Sequence, residues 1–109
     1  MVFDFIPPTM GTITQGYHEE HKAIDFSCLR GTDVVASYGG RTSVHYNGRM
    51  GWVVTIRDGD VWTSYSHLQT ATPPPVVAAG DVIGTCGSTG SWSTGPHVHF
   101  ESNVQYQFR

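Results

Sequence analysis

Polar and apolar residues alternate with a period of two over many short stretches of this chain. The clearest case is Gly95-Pro96-His97-Val98-His99-Phe100-Glu101. A strand sends successive side chains to opposite faces, so His97 and His99 share one side while Val98 and Phe100 share the other. Residues 21–26 alternate likewise, with His21, Ala23 and Asp25 on one face and Lys22, Ile24 and Phe26 on the other. Residues 41–46, 52–57 and 61–68 read as longer strands rich in β-branched and aromatic residues. Asn47-Gly48 and Asp58-Gly59 predict hairpin turns between them. Shorter strands are predicted near residues 12–15, 33–37 and 81–86. Thr72-Pro73-Pro74-Pro75 cannot join a ladder and predicts a loop, as does the Gly/Ser/Thr-rich segment 87–96. No stretch carries a helical period. Seven or eight short strands at regular spacing predict an all-β fold, a compact antiparallel sandwich or barrel-like domain with long loops around a groove.

Composition narrows the picture. A chain of 109 residues predicts one domain, residues 1–109, with one modest core. Thirteen glycines and six prolines suit the many tight turns of an all-β chain. The net charge of -3 and the lack of any basic cluster argue against nucleic-acid binding. No apolar run is long enough to span a membrane. Met1-Val2-Phe3-Asp4-Phe5 does not read as a signal peptide, so the expectation is a chain that acts where it is made, is exported by another route, or is an excised piece of something longer. Cys28 and Cys86 are too few for a disulfide framework and lack C-x-x-C spacing; two free thiols are favoured over one disulfide.

Six histidines are many for this length. His21-x-x-x-Asp25 puts an imidazole and a carboxylate on one face of an extended segment. With His99 they make two nitrogens and one oxygen, the three-ligand set of a catalytic zinc site with an open fourth position. Standing alone, each piece has a blander reading: a surface ion pair for His21 and Asp25, a solvated strand face for His97 and His99. His67 closes a predicted strand, where a lone histidine is usually a surface or capping residue. His18-Glu19-Glu20-His21 falls one residue short of the helical H-E-x-x-H motif, because Lys22 stands where the second histidine belongs. His18 and His45 are therefore not expected to be ligands.

The order of these pieces is more telling than any one of them. His21-x-x-x-Asp25, Tyr65-x-His67-Leu68, Gly87-Ser88-Thr89-Gly90 and Gly95-Pro96-His97-Val98-His99-Phe100-Glu101 follow one another along the chain. That series resembles the lysostaphin/LytM-type zinc endopeptidases, a family of cell-wall hydrolases, over roughly residues 7 to 102. The resemblance implies a peptidase catalytic domain with His21, Asp25 and His99 as zinc ligands. It also implies that His67 and His97 flank the reacting water and the substrate carbonyl. Ala23 departs from the glycine usual in the family, and only the short tail 102–109 follows Glu101.

Zinc would lower the pKa of a bound water to about 7 and polarise the scissile carbonyl. A metal-activated water would then be the nucleophile, with two imidazoles to move protons. Glu101 shares a face with His97 and His99 and is a candidate partner for a ligating histidine, though a solvated strand-end residue is the favoured reading. Trp92 and Tyr17 are candidates for groove walls. The implied substrate is the peptide part of bacterial peptidoglycan, met at the cell wall by a monomer with Zn2+ as cofactor. Two other readings compete: a non-catalytic wall-binding or hydrolase-activating module of the same fold, and a phosphotransfer domain with a reactive histidine. The first would lack some ligands, and the second would not need an aspartate four residues from a histidine.

Overall fold

The computed structural model describes residues 1–16 and 23–109. Among these there is no helix, and twelve strands follow one another. They are β1 (Phe3–Phe5), β2 (Ile13–Gln15), β3 (Ile24–Ser27), β4 (Asp33–Val35), β5 (Gly40–Asn47) and β6 (Gly51–Asp58). Then come β7 (Val61–Leu68), β8 (Thr70–Ala71), β9 (Val76–Val77), β10 (Val82–Thr85), β11 (His97–Ser102) and β12 (Tyr106–Phe108). A seven-stranded sheet runs β2-β3-β11-β7-β6-β5-β9, a three-stranded sheet runs β4-β10-β8, and β1 pairs with β12. The first two sheets are antiparallel, as expected; the β1–β12 pair is parallel.

The long strands β5, β6 and β7 form where β-branched and aromatic residues are densest. Their turns differ slightly from expectation. The β5–β6 hairpin closes at Asn47 opposite Gly51, so residues 48–50 make a three-residue loop. The Asn47 side chain caps that loop by accepting from the N–H groups of Arg49 and Met50. In the β6–β7 hairpin Asp58 pairs with Val61, which leaves Gly59 and Asp60 as the turn.

Burial follows the alternation. Val98 and Phe100 of β11 are fully buried, while His97, His99 and Glu101 are half-buried on the other face. Phe5, Phe26, Val34, Val54, Ile56, Tyr65, Leu68, Ile83, Val98 and Phe100 form one core. The Cys28–Cys86 pair is a disulfide, against the expectation of free thiols. Sequence spacing could not show that residues 58 positions apart meet.

Candidate active site

Strand β11 lies between β3 and β7, and the register decides which side chains meet. In an antiparallel ladder, directly opposite residues share a face. His99 stands opposite Asp25 of β3 and Ser66 of β7, and His97 stands opposite Ser27. One face of the sheet therefore gathers Asp25, His97, His99 and Glu101.

His67 reaches the same face by a different route. Regular alternation from buried Tyr65 would turn His67 into the core. The β6–β7 ladder instead slips between Trp52 and Val54, whose partners are Leu68 and Tyr65. Ser66 and His67 thus oppose the single residue Val53, a β-bulge that re-aims the strand. His67 takes a positive φ of 65°, the one non-glycine residue among those described to do so. Its N–H donates to Met50 O at 2.8 Å, and Leu68 returns to the core. The ring of His67 lies 4.8 Å from that of His97 and 6.1 Å from that of His99, centroid to centroid.

The hydrogen bonds assign protons. A carbonyl oxygen only accepts, so a ring nitrogen bonded to one carries the hydrogen. His67 Nδ1–H donates to Thr89 O at 2.7 Å, and His97 Nδ1–H donates to Gly95 O at 2.8 Å. In both rings Nε2 is left as the nitrogen with no protein partner among the described residues. His99 is held differently: Nδ1 lies 2.9 Å from Asp25 Oδ1, and Nε2 lies 2.8 Å from Glu101 Oε1. Burial of the His99 ring would lower its pKa, but hydrogen bonds to Asp25 and Glu101 and the charges of both carboxylates win, and the value rises to about 9. His67 moves the other way. Its burial lowers the pKa, with the neighbouring His97 and His99 adding to the effect against the opposing bond to Thr89.

Of the five residues singled out from sequence, Asp25, His67, His97 and His99 come together. His21 lies outside the described residues, as do Tyr17 and His18. Glu101 is not merely solvated; it sits on the second nitrogen of His99. Among the described residues no group of three or more His, Cys, Asp or Glu side chains is arranged to hold a metal. The donor chemistry nevertheless fits zinc. An imidazole nitrogen and a carboxylate oxygen, 2.9 Å apart and mostly screened from solvent, are ligands zinc commonly takes.

The loop 87–96 is better ordered than its composition suggests. Ser91 N–H donates to Gly48 O and Trp92 N–H to Arg49 O, so the loop is tied to the β5–β6 turn. Trp92 is 62% exposed and carries the Arg49 guanidinium 5.0 Å above its ring, which leaves it free to line a wall. Sequence reasoning missed Thr89 as a partner of His67; only the Gly-Ser-Thr-Gly string hinted at it. An apolar groove of about 920 Å³ is lined by Ile6, Pro8, Met10, Leu29 and Val35 among others, contains none of these histidines, and does not hold the chemistry.

The family model of peptidase family M23 matches residues 19–108. The chain belongs to this family. Among curated M23-like relatives, the DD-carboxypeptidase/endopeptidase Mpg of Neisseria meningitidis is 40% identical over 92 residues, which are 80% of this chain and 21% of that protein. An uncharacterized metalloprotease of Haemophilus influenzae is 36% identical over 89 residues, 77% of this chain and 18% of that one. The M23 domain described here thus spans about one fifth of the curated relatives it matches. Lysostaphin of Staphylococcus simulans, an antimicrobial peptidase, superposes with a TM-score of 0.72 at 31% identity, over 87% of this chain and 42% of its own. A zinc-containing peptidase of Vibrio cholerae gives a TM-score of 0.80 at 27% identity, over 94% of this chain and 36% of its own. Both agree with the all-β M23 fold.

Proposed function

We propose that residues 1–109 form the catalytic domain of a zinc-dependent endopeptidase. Its substrate would be the peptide stems or cross-bridges of peptidoglycan, met as a monomer at the bacterial cell wall. The observation that carries this reading is the convergence of Asp25, His67, His97 and His99 on one sheet face in a chain of the M23 family. The carboxypeptidase/endopeptidase activity of the Neisseria relative and the zinc in the Vibrio peptidase point the same way.

His21, Asp25 and His99 would hold the metal. Zinc supplies Lewis acidity toward a carbonyl and acidifies water toward neutral pH. The rest falls to the chain's own groups. Asp25 keeps the His99 ring in its plane, and Glu101 fixes the far nitrogen until a ligand takes one of them. His67, kept neutral by burial, accepts a proton at Nε2, because Nδ1 already gives its hydrogen to Thr89 O. His97 presents its own Nε2 beside it, held by Gly95 O, and when protonated can donate there to an oxyanion or a departing amine. Trp92, 62% exposed, would line one side of the face that receives an extended peptide.

The test is hydrolysis of purified peptidoglycan with metal content measured in parallel. Asp25→Ala and His99→Ala are expected to lose both bound zinc and lysis. Full-rate clearing of cell walls after chelation would sink the reading. Tight zinc binding with no cleavage of any peptidoglycan would instead favour the non-catalytic module. Mass spectrometry of fragments from walls of several cross-link types identifies the bond that is cut.

A further inference from the structure

Nothing intrinsic to a left-handed histidine fixes where its ring points, yet His67 is clasped on three sides. Its own N–H is held by Met50 O, its carbonyl accepts from Thr89 N–H at 3.4 Å, and its Nδ1–H is taken by Thr89 O at 2.7 Å. Two of these three bonds run to Thr89. Thr89 is itself pinned by its hydroxyl, which donates to Leu68 O at 2.6 Å and accepts from Trp52 N–H at 3.1 Å. One side chain therefore ties together β6, the residue after His67, and the loop that carries the acceptor.

The glycines nearby show how little slack the clasp has. Gly51 has φ 70°, and a Cβ there would strike the Thr89 hydroxyl and backbone. Gly90 has φ 88°, and a Cβ there would strike Arg49 O and Gly51 N. The hairpin turn and the loop meet backbone to backbone, with Thr89 at the centre.

We propose that Thr89 is a positioning residue for His67: its hydroxyl locks the carbonyl that holds His67 as the Nδ1–H tautomer, so that Nε2 is the proton-accepting nitrogen. The inference rests on His67 acting at the reacting centre as proposed above. Serine at this position keeps both hydroxyl bonds. Valine keeps the shape and loses both, so that the side chain no longer pins the Thr89 carbonyl to β6 and to Leu68.

The experiment is ¹⁵N NMR of the imidazoles in zinc-loaded wild-type, Thr89→Ser and Thr89→Val proteins, with steady-state hydrolysis of a soluble cross-linked peptidoglycan fragment. Wild type and Thr89→Ser are expected to show His67 protonated at Nδ1 alone. Thr89→Val is expected to show a mixture of tautomers, with kcat down by about tenfold or more and KM and zinc content little changed. A wild-type His67 protonated at Nε2 overturns the proposal. So does a Thr89→Val protein whose His67 tautomer matches wild type, whatever its rate. If the valine variant does not fold, the wild-type spectrum decides. If the wild type cleaves no substrate, the peptidase reading fails, and the tautomers of the three proteins decide the role of Thr89 on their own.

Discussion

Tyr65 shows what a single buried polar atom can do for this fold. Its ring is fully buried against Phe100, and its hydroxyl is threaded between two partners. It accepts from Ser37 N–H at 2.8 Å and donates to Thr63 Oγ1 at 2.8 Å. Tyr65→Phe keeps the packing but strands the Ser37 amide in a dry environment, a loss of about 1–3 kcal/mol readable by denaturant unfolding. Burial also pushes the Tyr65 phenol above its ordinary pKa, partly offset by bonds to Thr63 and Ser37. The folded state thus prefers the neutral phenol more than the unfolded state does. This contribution is fully present below an unfolded pKa of about 10 and disappears as pH rises through the raised folded value. Stability measured above pH 10 should therefore fall more steeply in wild type than in Tyr65→Phe. Equal slopes would show that Tyr65 does not govern the alkaline limb. At this scale the sequence was legible where alternation holds and misleading where it breaks. His97 and His99 follow the period of two. His67 does not, because one extra residue in β7 turns it from the core toward the site, and no pattern in Tyr65-Ser66-His67-Leu68 announces a bulge.

Elements matter here chiefly through what brackets β11. Ser27 and Gly87 are the two residues paired with His97, and each is followed or preceded directly by a half-cystine. The disulfide therefore closes behind the histidine strand, joining β3 to the end of β10. Cross-linking residues 58 apart restricts the unfolded chain enough to stabilise the fold by about 4 kcal/mol on the loop-entropy model. Replacing both cysteines by serine should lower the unfolding free energy by about that amount and raise the m-value, because the denatured chain is then less compact. An unfolding curve that superposes on wild type would contradict this. The pairing was not readable beforehand because loop closure depends on tertiary proximity, not on local spacing. The same limit hid β8 and β9, two-residue strands too short to carry a period, and the parallel union of β1 with β12, whose partners lie at opposite ends of the chain. The strands with long β-branched runs, β5 to β7, were found nearly to the residue, because hairpin neighbours need only local information.

Across the whole molecule, one aromatic cluster links the two terminal strands to the strand that carries His97 and His99. Phe5 packs against Phe3, Tyr38, Phe100 and Tyr106, with ring centroids 5.0–6.3 Å apart. Phe100 in turn touches Tyr65, Tyr106 and Phe108. Phe100 is the residue between His99 and Glu101, so its buried ring holds from below the strand that presents both on the other side. Core and site are thus the two faces of one strand, and they should separate in experiment. Phe5→Ala removes a fully buried ring from the centre of the cluster without touching the site face. The expected cost is about 3–5 kcal/mol, a large part of the stability of a domain this small. Well below its lowered melting temperature, the variant should still bind zinc and keep wild-type kcat, because β3, β7 and β11 retain their ladders. Calorimetry and a low-temperature hydrolysis assay together decide the matter. A variant that melts early but works normally in the cold is the expected result. One that is inactive while still fully folded would mean that the cluster sets the geometry of the histidines and does more than hold the strand in place.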